Sequence, residues 1–167
     1  SVAGGVAGGA TVVDVEARGV TRAALEDDSL ITAAGTVIVN ADSRADNNVD
    51  AVSGSGALLV GQAAAAADIT DKSDAEVYLG AGKGGAAHSM SSISASAVHN
   101  SILNNDLSAW AGGAIGGAGL GMTNDVDFAV TGEVGDAARY HTESFDLQAT
   151  ADVDKPDMGP ANLEIDG

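Results

Sequence analysis

A chain of 167 residues, 45% of them apolar, is long enough to bury one core. Its 24 acidic side chains against 7 basic ones give a formal charge of −17, which argues against nucleic acid and anionic membrane surfaces as partners. The absence of cysteine excludes disulfides and thiolate chemistry, and no apolar run approaches the roughly 18 residues of a membrane-spanning helix.

The first element is glycine-rich. "AGGVAGGA" begins at Ala3, and "AGGAIGGA" repeats it from Ala111, 108 residues later. Half that distance, 54 residues, also relates other segments. "DVEARGVTRAALE" from Asp14 lies over "DITDKSDAEVYLG" from Asp68, placing Asp on Asp, Val15 on Ile69 and Leu25 on Leu79. A small-residue strand over Val6 to Val15 and a second over Thr21 to Leu25 are expected here, followed by a turn at "EDDS" (Glu26 to Ser29).

A third strand is predicted over Val37 to Ala41. Its segment "TVIVNADS" from Thr36 aligns with "MSSISASA" from Met90 and "SFDLQATA" from Ser144. Alternate columns then agree: Val37, Ser91 and Phe145; Val39, Ile93 and Leu147; Ala41, Ala95 and Ala149; Ser43, Ala97 and Ala151. A period of two is the mark of a strand with one buried face. Turns are expected at "NADSRADNN", "GAGKGG", "NNDLS" and "TNDVD". The five alanines of "GQAAAAADITDK" suit a helix by propensity, yet the equivalent "GGATVVDVEA" is β-branched and glycine-rich, which favours strand.

These elements predict an all-β fold, a parallel β-solenoid (β-helix) of about three imperfect 54-residue repeats. The repeats fall at approximately 3–56, 57–110 and 111–152, and an irregular tail follows over 153–167. Glycine and alanine would sit where chain segments approach closely.

Few residues offer chemistry. "GAGKGG" from Gly80 satisfies G-x-G-x-x-G but leads into a strand rather than a helix, and Lys83 is followed by glycine, so neither a dinucleotide fingerprint nor a phosphate loop is complete. His88, His99 and His141 read as surface or turn imidazoles. A set such as Ser89, His99 and Asp106 is of the kind that chance supplies among so many serines and aspartates. Carboxylates cluster at Asp27 and Asp28, Asp46 and Asp50, and Asp125 and Asp127; these are candidate weak calcium ligands, although no EF-hand or nonapeptide pattern surrounds them. No other cofactor and no catalytic residue is indicated.

The stretch "GSGALLVGQAAAAADITDKSDAEVYLGAG" (Gly54 to Gly82), with "AGGAIGGAGLGMTNDVD", resembles the Gly/Ala-rich repeats of large bacterial surface adhesins of the leukotoxin and filamentous-haemagglutinin type. The resemblance implies a secreted, non-enzymatic β-solenoid at the cell surface or outside the cell, acting in adhesion or as a filament, its receptor unspecified. The expected partner is another copy of the chain, stacked head to tail, with "SVAGGVAGGATVV" at one end and the tail as a latch onto the next subunit. The alternative reading is a carbohydrate-acting or carbohydrate-binding β-helix, for which four arginines and five aromatics supply little.

Overall fold

A computed structural model of the chain describes residues 5–32, 34–155 and 163–166. The described chain is all-β, and its strands pair in parallel. In chain order they are β1 (Val6–Leu25), β2 (Ala34–Gly56), β3 (Val60–Leu79), β4 (His88–Gly112), β5 (Ile115–Val126), β6 (Val130–Val134), β7 (Tyr140–His141), β8 (Ser144–Asp154) and β9 (Leu163–Asp166). Among the described residues no helix is long and apolar enough to cross a membrane.

Two sheets form. In the first, β3 lies between β1 on one side and β5 and β6 on the other; in the second, β4 lies between β2 on one side and β7, β8 and β9 on the other. From β1 to β5 the chain alternates between sheets, so that each strand there pairs with the next but one; β6 then stays in the first sheet, and β7, β8 and β9 all join the second. Short links over 57–59 and 113–114 join the sheets at one edge, and longer links over 26–33 and 80–87 join them at the other.

The strands are long because most inward positions are apolar or small. On β3 every second residue from Gly61 to Leu79 is buried, and its run of alanines is strand throughout. The expected turns "NADSRADNN" and "NNDLS" lie inside β2 and β4, and most of "TNDVD" lies in β5. Their Asn and Asp tendency to turn yields to pairing along a whole neighbouring strand, which satisfies the backbone groups that face it. The two separate strands expected over Val6 to Leu25 are likewise one.

Registers refine the repeat. β1 and β3 pair from Val6 opposite Val60 to Leu25 opposite Leu79, a constant offset of 54, with Asp14 on Asp68 and Val15 on Ile69. β3 meets β5 and β6 at an offset of 55. In the second sheet the offsets are 56 and then 52: Ile93 lies between Val37 and Phe145, and Ala95 between Val39 and Leu147. The column Val39, Ile93, Leu147 is therefore corrected by two residues in its middle member. The physical source lies between Leu79 and Met90, where ten residues (80–89) stand against the eight (26–33) between their partners Leu25 and Ala34; a single 3-10 turn at Lys83–Gly85 falls there, with Gly84 and Gly85 at positive φ of 63° and 77°. A slip of two keeps every side chain on its own face.

Two apolar clusters fill the space between the sheets. One is rich in alanine (Ala51, Ala63, Ala65, Ala67, Ala109, Ala111, with Val49, Ile69, Leu103 and Leu107). The other is bulkier (Val77, Leu79, Met90, Ile93, with Ala75, Ala95 and Ala97), and Leu25, Val37, Tyr140 and Leu147 pack against it. At the alanine-rich edge, a Cβ on Gly9 would stand 2.8 Å from the Gly54 carbonyl oxygen, and one on Gly61 would collide with the Gly112 carbonyl. Within the glycine octets, Gly9 and Gly113 thus serve close approach of chain at a tight edge, whereas a Cβ on Gly8, Gly112 or Gly117 would meet nothing within 4 Å.

At the C-terminal end, β8 runs to Asp154 and β9 adds Leu163–Asp166 to β4 opposite Leu107 to Trp110. The tail expected to be irregular over 153–167 therefore contains strand, and β9 pairs with β4 of the same chain. Residues 1–4, which open the expected N-terminal edge segment, and 156–162 lie outside the described residues.

Candidate functional site

The calcium candidates fall on separate elements. Asp46 and Asp50 are exposed on β2, and Arg44 pairs with Asp46 at 3.3 Å. Asp125 and Asp127 are exposed at the end of β5 in the other sheet. Asp27 and Asp28 lie in the link after β1, where the Asp27 carboxylate accepts hydrogen bonds from the Tyr78 hydroxyl at 3.0 Å and the Ala81 N–H at 2.8 Å. Among the described residues no three His, Cys, Asp or Glu side chains converge on a metal-sized site.

A polar layer separates the two apolar clusters, and sequence reasoning missed it. His99 on β4 is fully buried: Nε2 lies 3.0 Å from Asp71 Oδ2, and Nδ1 lies 3.0 Å from Ser43 Oγ. Asp71 on β3 is also fully buried, and its Oδ1 accepts the Ser73 N–H at 3.0 Å. Burial works against the charged carboxylate, but the polar groups around it, Ser101, His99 and Ser73, outweigh it and hold the carboxyl below the usual aspartate range. An ionised Asp71 accepts Nε2–H, which leaves Nδ1 to accept from the Ser43 hydroxyl.

So His99 does join a Ser, His, Asp set, but with Ser43 and Asp71 rather than Ser89 and Asp106, both of which are exposed. The order resembles a nucleophile relay. Its members are buried between two sheets, with the Phe128 ring packed 4.3 Å from the imidazole centroid, and its evident work is to satisfy polar groups in the core. One signal could have revealed it: Asp71 occupies an inward column between Ile69 and Ser73, where a carboxylate demands a partner.

His88 is fully buried as well, at the wider edge. Its Nδ1 accepts the Ile31 N–H at 3.2 Å, its Nε2 lies 3.3 Å from the Gly80 carbonyl, and its ring stacks on Tyr140 at 5.0 Å. The Tyr140 hydroxyl donates to the same carbonyl at 2.8 Å, and burial, with lesser contributions from Tyr78 and Asp27, pushes it up to about 12. Of the three histidines expected on the surface, only His141 is exposed; the other two occupy inward positions with both ring nitrogens engaged.

The outer face of the first sheet carries a shallow groove of about 510 Å3, floored by Gly8, Ala10, Gln62, Ala64, Gly117 and Gly119. On the same face Val6, Val12 and Ile115 are 70%, 76% and 68% exposed. Across the rest of that face run charged side chains, with ion pairs such as Lys72 to Glu16 at 3.9 Å.

The two ends of the paired strands are the remaining surfaces. Among the described residues β1 and β2, of 20 and 23 residues, each have a partner on one side only. At the other end β5 and β6, separated by residues 127–129, pair with Val60 to Asp71 and Ala75 to Leu79 within the stretch of β3 that β1 covers. No family model, no curated protein and no solved structure matches the chain.

Proposed function

We propose that the chain is a parallel β-solenoid of about three imperfect repeats and serves as a non-enzymatic structural or adhesive subunit, stacking head to tail outside the cell or at its surface. One observation carries this reading. The sheet end formed by β5 and β6 pairs with β3 within the span that β1 covers, so a second copy can continue the first sheet. An unpaired strand of 20 residues is a template for another strand, and natural sheets usually blunt such edges. Contact between unlike ends of identical subunits is heterologous and propagates unless it closes into a ring.

Charge sets the conditions. With −17 per subunit, stacking requires screening by salt or by a divalent cation such as calcium held among the surface carboxylates. Sedimentation and negative-stain microscopy at low and high salt, with calcium or with chelator, test the reading. Filaments that lengthen with screening are expected, and a monodisperse monomer in every condition at tens of micromolar would refute it.

A further inference from the structure

The inward columns at the two ends differ in size at one place. Gly19 on β1 is opposite Ser73 on β3, and Phe128 lies opposite the same stretch from the other side, between the pairs Asp71–Val126 and Ala75–Val130. Gly19 is exposed although it occupies an inward register position, and a Cβ built on it meets nothing within 4 Å. Its φ lies outside the left-handed region, so the glycine answers no backbone demand. Its neighbours in the inward column, Ala17 and Thr21, are half-buried. The result is a gap in the floor of the β1 end. Phe128 is the reverse: a large ring at the opposite end, half-buried, resting on the His99 imidazole.

We infer that Phe128 of one subunit fills the gap at Gly19 of the next, and that this contact fixes the register of the head-to-tail stack. The inference rests on the stacking reading and names its partner, a second copy of the chain. A parallel continuation at the offsets seen inside the molecule brings position 128 over position 19, because both flank Ser73. Any shift along the strands by two residues would set the ring against Ala17 or Thr21 and leave the gap empty, so size complementarity selects one register where backbone pairing alone accepts several. The same contact covers the side of Phe128 that faces away from His99, and with it the Ser43–His99–Asp71 layer.

Gly19→Phe fills the gap from below. In screening salt the variant should fold and melt as the parent does at low salt, yet its critical concentration for assembly should rise about tenfold or more, since an overpacked contact loses at least a factor of that size. Its Phe128 end remains intact, so it should also add to the exposed Gly19 end of parent filaments and stop them: a few per cent of the variant mixed with parent chain shortens the filaments seen by negative stain. Gly19→Leu fills the gap with a smaller group and replaces the phenylalanine variant should that one fail to fold. Gly19→Ser, which leaves most of the gap open, should assemble as the parent does. A folded Gly19→Phe or Gly19→Leu chain that assembles normally, or that leaves parent filaments at full length, overturns the contact while the stacking reading stands. A parent chain that never assembles overturns the stacking reading and this contact with it.

Discussion

The two edges at which the sheets are joined are built differently. At the edge where β2 leads into β3 and β4 into β5, the inward residues next to the links are small (Ala51, Ser53, Ser55, Gly61, Ala63, Ala109 and Ala111), and the links are the three residues 57–59 and the two residues 113–114. At the opposite edge the interior holds Leu79, Met90, Ile93, His88 and Tyr140, and the links over 26–33 and 80–87 are eight residues long. Small side chains let the sheets come together and a short link then suffices, whereas large ones hold them apart and the chain must travel further. Link length follows core thickness.

The largest effect should come from a charge at the thick edge. Ile93 is 1% exposed in the bulky cluster, and Ile93→Asp should cost about 4 kcal/mol or more, because a carboxylate would be desolvated without a partner. Asp42 on the neighbouring strand points outward, and Asp42→Asn should stay within about 0.5 kcal/mol. Denaturant melts of both variants check the assigned faces; equal losses would reverse them.

Next comes the layer between the edges. Breaking a buried pair by removing one partner costs about 3–5 kcal/mol, so Asp71→Ala should be severely destabilised, and His99→Ala somewhat less because it leaves a carboxylate still bonded to the Ser73 N–H. The pH dependence follows from the lowered carboxyl. A folded-state value below the unfolded one means that the unfolded chain binds a proton first, so this stabilisation is present above the ordinary aspartate value of about 4 and is lost as pH falls through the folded value. The stability gap between the parent and Asp71→Asn should therefore narrow below about pH 4, as measured by melts across an acid series. A gap that is constant from pH 7 down to pH 2 would mean that the carboxylate is not the stabilising species.

A smaller effect probes the thin edge. Ala65 is fully buried in the alanine-rich cluster, and Ala65→Leu adds three carbons where the facing residues are also small, at a cost of about 1–3 kcal/mol. Ala64, one residue along, is exposed, and Ala64→Leu should cost little. If both leucines are tolerated equally, the two edges do not differ in thickness as argued.

Much of this was legible beforehand, and the reasons are local. The match of Asp14 to Asp68 and of Leu25 to Leu79 found the register of β1 on β3 because no link intervenes to change the count. The same sliding misplaced Ile93 by two residues because two extra residues lie between Leu79 and Met90, in a stretch whose composition says turn but not how long a turn. Strand length was underestimated wherever Asn and Asp occur, since their turn preference is a property of short segments and parallel pairing over 20 residues overrides it. The buried histidines were invisible for a related reason: what makes His99 an interior residue is Asp71, 28 residues away on the other sheet.

The smallest prediction concerns the long links themselves. Three of them contain a residue with positive φ: Asp28 at 62° in the first, Gly84 at 63° in the second and Ala137 at 61° in the link over 135–139. Only the second uses glycine at that residue. The left-handed conformation costs an L-residue roughly 1–2 kcal/mol, although aspartate is penalised less because its side chain bonds locally. Replacing Ala137 by glycine removes that strain and adds the entropy of a freer unfolded chain, about 0.5–1 kcal/mol in the opposite direction. The balance favours Ala137→Gly by roughly 0.5 kcal/mol, with Asp28→Gly near zero. Gly84→Ala carries the strain without the relief and should cost roughly 1 kcal/mol even though nothing lies within 4 Å of the added Cβ. Thermal melts of the three variants should then rank Ala137→Gly above Asp28→Gly and Asp28→Gly above Gly84→Ala, an order that contacts alone could not produce, and a Gly84→Ala chain as stable as the parent would show that this link can adopt another path around the thick edge.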